Sequence, residues 1–167
     1  LEGVGFPGLS RASARSVAMK LLDLISPERV IWLKSEGKEE ALRELVDVLA
    51  EAEQVKDKDE LMKAIMERES IMSTGIGLGI AVPHAKIDSV TDFVIAIGIS
   101  KRGIDFNSLD DKPVHIIVMI AGPNKQEVYL RILAKVVLML KSEEVRRRIL
   151  EAGSPEEVIR IIGERDE

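Results

Sequence analysis

Cysteine is absent from this 167-residue chain. Disulfides and thiolate metal sites are therefore excluded, and the composition fits a reducing compartment, with the cytoplasm as the expected location. Long apolar runs are missing too. The longest, Val114 to Ala121, is interrupted by His115 and falls far short of the roughly 20 residues a membrane-spanning helix needs. Nor is there an excess of positive charge: 29 acidic against 24 basic side chains leave a net charge of −5, which argues against a nucleic-acid binder. The single basic run, Arg146-Arg147-Arg148, is flanked by Glu143, Glu144 and Glu151 and reads as a solvated helix face. No carboxylate cluster suggests a magnesium site, and no internal repeat or low-complexity linker divides the chain.

What is present is enough apolar material, 46% of residues, for one substantial core. Residues 1–18, rich in glycine, serine and arginine, read as a leader or cloning remnant, with Met19 as the native start and residues 19–167 as a single domain. Ala41, Leu42, Leu45, Val46, Val48 and Leu49 recur at helical spacing. Asp57 and Glu60 form a capping-box pattern ahead of a second helix that should run to about Glu69. The pattern then changes to short runs rich in valine and isoleucine, Ile80–Val82, Phe93–Ile99 and Val114–Ala121, which read as buried strands. Arg102–Asn107 and Asp110–Pro113 suit surface loops or a short edge strand. Helical spacing returns from Val128 to Leu140, and Ser154-Pro155-Glu156-Glu157 opens a last helix through Ile162. Helices before and after a block of strands imply an α/β sandwich in which one sheet is covered by helices.

Two histidines are the main chemical resource of the chain. His84 follows Pro83 at the end of one apolar strand, and His115 follows Pro113-Val114 at the start of another. Because adjacent strands lie about 4.8 Å apart, the two imidazoles are expected to meet at one end of the sheet. Upstream of His84, Gly75-Ile76-Gly77-Leu78-Gly79 lacks the Lys-Ser/Thr of a P-loop and the remaining glycine of a dinucleotide fingerprint. Glycines at every second position instead permit a bulge or a close backbone approach, and their exposed amides can help to hold an oxyanion. A metal site built on His84 and His115 is a poor alternative, since zinc usually takes three or four protein ligands.

Arg68-Glu69, Ser73-Thr74-Gly75-Ile76-Gly77 and Gly79-Ile80-Ala81-Val82-Pro83-His84 together resemble the signature of type-2 enzyme IIA domains, the fructose/mannitol/nitrogen-regulatory family of the sugar phosphotransferase system. Arg102-Gly103-Ile104-Asp105-Phe106 and Lys112-Pro113-Val114-His115 resemble its next two landmarks, so the likeness spans Met19 to about Gly163. It departs at Leu78, where many relatives carry asparagine. The resemblance implies a single mixed β-sheet flanked by α-helices on its faces. It also implies that His84 accepts a phosphoryl group from the histidine-containing phosphocarrier protein and passes it to a sugar-specific enzyme IIB. The alternative within the family is a nitrogen-type regulator whose phosphorylation state controls protein partners. Donors should then face the phosphoryl oxygens, with His115 and Arg68 as candidates and Thr74 adding a hydroxyl. Exchange between two similar N–P bonds demands no cofactor. A docking partner calls for exposed apolar side chains nearby, and Ile71, Met72, Ile76 and Leu78 can supply them.

Overall fold

A computed structural model describes residues 19–166; the leader expected at residues 1–18 lies outside the described residues. After two short 3₁₀ turns the elements run β1 (Val30–Trp32), α1 (Lys38–Leu49), α2 (Lys58–Ile71), β2 (Gly75–Gly77), β3 (Ile80–Ala81) and β4 (His84–Lys86). There follow β5 (Val94–Ile104), β6 (Val114–Gly122), α3 (Gln126–Leu140), α4 (Glu143–Glu151) and α5 (Pro155–Arg165). Helix starts are set by side chains that take up free backbone N–H groups. Asp57 accepts from the Glu60 amide, Ser142 from Val145 and Ser154 from Glu157, with Pro155 at the first helical position of α5.

The strands form one mixed sheet in the order β1-β5-β6-β3-β2, with β4 also pairing with β6. β5 and β6 are antiparallel, while β1 runs parallel to β5, and β3 and β4 run parallel to β6. Alternation along β6 divides the core into two layers. Ile116, Val118 and Ile120 face α3, α4 and α5 through Ile132, Val136, Val145, Ile149, Val158 and Ile161. Ile117, Met119 and Ala121 face α1 and α2 through Leu42, Leu45, Leu49, Leu61 and Ile65. A single mixed sheet flanked by helices on both faces is therefore the architecture.

Local departures from the sequence reading are instructive. β1, β2 and β4 are strands of three residues each, too short to leave a periodic signal. β5 runs on to Ile104, through Arg102 and Gly103, where loops are expected. It does so by a register shift between Ile99 and Ile104, with Gly103 at φ +90°. The alternating glycines serve as a bulged hairpin: pairing between β2 and β3 shifts between Gly75 and Gly77, and Gly77 and Gly79 both adopt positive φ. The basic run is internally engaged, for Arg146 binds the Leu140 and Lys141 carbonyls at the end of α3, and Arg147 and Arg148 pair with Glu151 and Glu164.

Candidate functional site

His84 opens β4 rather than ending a strand, because the ladder breaks at the two residues before it. β3 and β4 keep one register along β6, with Ile80 opposite Ile116 and His84 opposite Ile120. Pro83 has no N–H to contribute, and the Val82 amide turns away to donate to the Thr74 carbonyl at 3.0 Å. The Val82 carbonyl then lies 3.2 Å from His84 Nδ1. A carbonyl can only accept, so Nδ1 carries the hydrogen and Nε2 the lone pair. Burial pushes the His84 pKa below its ordinary 6.5. The charges of Arg68 and Lys86 push the same way, opposed by the Val82 hydrogen bond and by Glu69. The ring is thus a half-buried, neutral imidazole at pH 7 with a defined tautomer.

Paired residues on neighbouring strands project to one face, so His84 points with Ile120 toward α3. The first turn of that helix meets it. Tyr129 packs its ring 4.7 Å, centroid to centroid, from the imidazole at an interplanar angle of 36°. Lys86, two residues on and on the same face, places its ammonium 4.6 Å from the Tyr129 ring centroid and donates to Gln126 Oε1. From the other layer comes Arg68, in the last turn of α2. Its guanidinium donates to the Met72 carbonyl at 2.8 Å, and its charge acts on both His84 and Tyr129. Burial raises the Tyr129 phenol above its usual pKa, and Arg68 partly offsets this.

Thr74 has a different part from the one expected. It is buried, and its hydroxyl donates to Glu69 Oε1 at 2.6 Å while its amide donates to Glu69 Oε2 at 2.8 Å. With its hydrogen committed, that hydroxyl is no donor for a phosphoryl group. The buried Glu69 carboxylate is completed by Lys38 at 2.8 Å, and Lys38 also donates to the Phe106 carbonyl and sits over the Phe106 ring. A chain of bonds thus leads from Lys38 and Glu69 through Thr74 and Val82 to His84 Nδ1. Thr74 and Glu69 are supports of the site.

His115 is the larger correction. It stands five residues before Ile120 on β6, and Ile120 is the residue opposite His84. At about 3.3 Å per residue the two histidines are separated by about 16 Å along the strand. No phosphoryl group on His84 can receive a hydrogen bond across that gap, and no single metal ion can bind both rings. His115 instead donates from Nδ1 to the Ser100 carbonyl at 2.9 Å. Its ring fits against Gly103 so closely that a Cβ there would lie 3.0 Å from Cε1 and 3.2 Å from Nε2. It fills the irregular stretch of β5.

Two members of the site, Lys86 and Tyr129, were not singled out by the sequence reading. Period-2 projection in a strand puts Lys86 beside His84 and could have indicated it. Tyr129 carries no such local signal, since its contact depends on where α3 begins after β6. Ile71, Met72, Ile76 and Leu78, most of which ordinary core packing would have claimed, are exposed, and Leu109 joins them. Among the described residues no group of three or more potential ligands gathers to hold a metal, and no helix is long and apolar enough to cross a membrane.

A family model described as "Phosphoenolpyruvate-dependent sugar phosphotransferase system, EIIA 2" matches residues 23–165. The chain is 40% identical over 150 residues to the PTS system fructose-specific EIIABC component of Bacillus subtilis, covering 89% of the chain but only 24% of that longer protein. It is 38% identical over 146 residues to the PTS system fructose-specific EIIA component of Haloferax volcanii, covering 86% and 95% of the two chains. Other relatives, 25% to 34% identical, are named nitrogen regulatory protein or its homolog. The crystal structure of nitrogen regulatory protein IIA-Ntr from Neisseria meningitidis superposes with a TM-score of 0.79 over 85% of this chain and 98% of that one. At 22% identity that likeness speaks for the fold alone.

Proposed function

Because the chain belongs to the EIIA 2 family of the phosphoenolpyruvate-dependent sugar phosphotransferase system, we propose that it is a phosphocarrier whose His84 Nε2 accepts a phosphoryl group from the histidine-containing phosphocarrier protein and gives it to a sugar-specific enzyme IIB. What supports this is the state of the His84 ring. The Val82 carbonyl fixes the proton on Nδ1, and burial keeps the ring neutral, so Nε2 has a free lone pair. That lone pair forms the new N–P bond as the donor's N–P bond breaks. The donor ring, protonated at its other nitrogen, takes back the electron pair and leaves as neutral imidazole. The His84 Nδ1 proton stays against the Val82 carbonyl throughout. Transfer of this kind has a loose transition state with charge on the phosphoryl oxygens, and Arg68 is the nearby group able to offer a planar fork of donors to it.

Partner docking has a matching surface. Ile71 and Met72 are 79% and 60% exposed at the end of α2, where Arg68 holds the Met72 carbonyl. Ile76 lies on β2, the sheet edge, Leu78 sits in the turn that follows it, and Leu109 is tied to β2 through the Gly75 carbonyl. This exposed apolar strip starts at the Arg68 end of α2 and runs toward the His115 end of β6, and it suits a carrier protein better than a small substrate.

A fructose-type enzyme IIB is favoured as the acceptor by the two fructose-specific relatives, at 40% and 38% identity. The relatives named nitrogen regulatory protein keep a regulatory role as the second reading. Incubation with phosphoenolpyruvate, enzyme I and the phosphocarrier protein should put one acid-labile phosphoryl group on the chain, and none on His84→Ala. Stoichiometric labelling of the alanine variant overturns the assignment. Addition of a fructose-type enzyme IIB should discharge the labelled parent, and failure to discharge it favours the regulatory reading.

A further inference from the structure

Lys86 is placed in a way that its own strand does not require. A lysine on a half-exposed strand end ordinarily leaves its ammonium in water, where its flexible stem keeps its rotamer freedom. Here the stem is folded onto α3 and held at two points, Gln126 Oε1 and the face of the Tyr129 ring. Gln126 and Tyr129 are three residues apart, on one side of the first turn of α3. The same Tyr129 ring packs on the His84 imidazole. One aromatic side chain therefore touches both the nucleophile and a cation.

In the free protein that arrangement is electrostatically adverse to a protonated His84, because Lys86 and Arg68 both disfavour the imidazolium. The sign reverses once His84 carries a phosphoryl dianion: the two cations are then in place before the charge arrives. Arg68 reaches the site from α2, and Lys86 lies on β4 against α3, so the cations approach from different elements.

We propose that Lys86 is a second cation for the phosphoryl group on His84, and that Tyr129 is the positioning residue that keeps it there by contacting both side chains. The inference rests on His84 being the phosphorylated residue. It assigns Lys86 an electrostatic part in transfer and Tyr129 a part that needs its ring.

The test is single-turnover transfer from the phosphocarrier protein at saturating donor, as a function of pH, on the parent, Lys86→Met, Tyr129→Leu, Tyr129→Phe and the Lys86→Met/Tyr129→Leu double variant. Lys86→Met should slow transfer about tenfold, a modest figure for a cation that water partly screens. It should also move the acid limb of the rate profile to higher pH. The groups around His84 are Arg68 and Glu69 on α2, Lys86 on β4 and Tyr129 on α3, so removing the Lys86 charge leaves imidazolium less opposed and raises the His84 pKa toward 6.5. Tyr129→Leu should reproduce both effects, and the double variant should be no worse than either single one. Tyr129→Phe, which retains the ring, should recover what Tyr129→Leu loses. Independent, multiplying losses in the double variant overturn the positioning of Lys86 by Tyr129. An acid limb and rate unmoved by Lys86→Met overturn the second cation. An unlabelled parent defeats the phosphocarrier reading itself, whereas a labelled parent with indifferent variants defeats this inference alone.

Discussion

The two histidines lie against the same strand, and their surroundings could hardly differ more. His84 stands opposite Ile120 near one end of β6, with a fixed tautomer that leaves the lone pair on Nε2 and cations from two elements around it. His115, near the start of β6, gives Nδ1 to Ser100 and has its other ring edge packed against Gly103. Each ring donates one hydrogen bond to a backbone carbonyl, so that bond alone does not make a nucleophile. The difference lies in what approaches the second nitrogen. At His84 it is the field of Arg68 and Lys86; at His115 it is the backbone of a bulged strand.

The strongest way to break this comparison is to remove the support that only His84 has. Glu69→Ala leaves Lys38 without its carboxylate and Thr74 without the acceptor of both its amide and hydroxyl hydrogens. Loss of one partner of a buried pair costs about 3 to 5 kcal/mol, and about 3 is expected here because water can relieve part of the charge on Lys38. For a domain of this size that is a Tm lower by about 6 to 12 °C. Calorimetry measures it, and a loss below about 1 kcal/mol would show that Thr74 and Val82 hold the His84 loop without Glu69.

Much of this was open to sequence reasoning, and the failures have physical causes. Helix caps at Asp57 and Ser154 are local hydrogen bonds between residues three apart, so the pattern sufficed. The Pro83-His84 pair stands out in the sequence because it closes the segment that resembles the family signature, and the phosphoryl role of His84 is the proposal built on it. His115 misled because periodicity tells which residues form a strand but not which residue lies opposite which; its expected meeting with His84 fails on register alone. Thr74 misled because its hydroxyl looked free until the burial of Glu69, five residues earlier, gave it an acceptor. Tyr129 was invisible because the chain leaves β6 and turns through Pro123-Asn124-Lys125 before α3 brings it back.

A middle-sized effect sharpens the His84 side of the comparison. If Arg68 clamps the phosphoryl group with its planar fork, Arg68→Lys keeps the charge and loses the bidentate geometry. Transfer should slow by roughly ten- to a hundredfold, about 1.4 to 2.7 kcal/mol of transition-state stabilisation. Single-turnover transfer at saturating partner removes any association effect that rim charges exert. A lysine variant as fast as the parent under those conditions moves Arg68 from the phosphoryl group to the docking surface.

The smallest effect is expected at His115, and it decides whether the comparison holds. His115→Gln keeps a side-chain N–H that can be offered to the Ser100 carbonyl and fills part of the space beside Gly103, so the irregular stretch of β5 should survive. A hydrogen bond made with poorer geometry costs about 1 kcal/mol of stability, measurable by urea unfolding. Phosphoryl acceptance by His84 and its onward transfer should be unchanged, because about 16 Å of strand separates the two sites. A variant that keeps that stability yet transfers more slowly by tenfold or more would mean that His115 reaches the reaction through the partner protein. The register of β6 would then describe the resting chain without describing its complex.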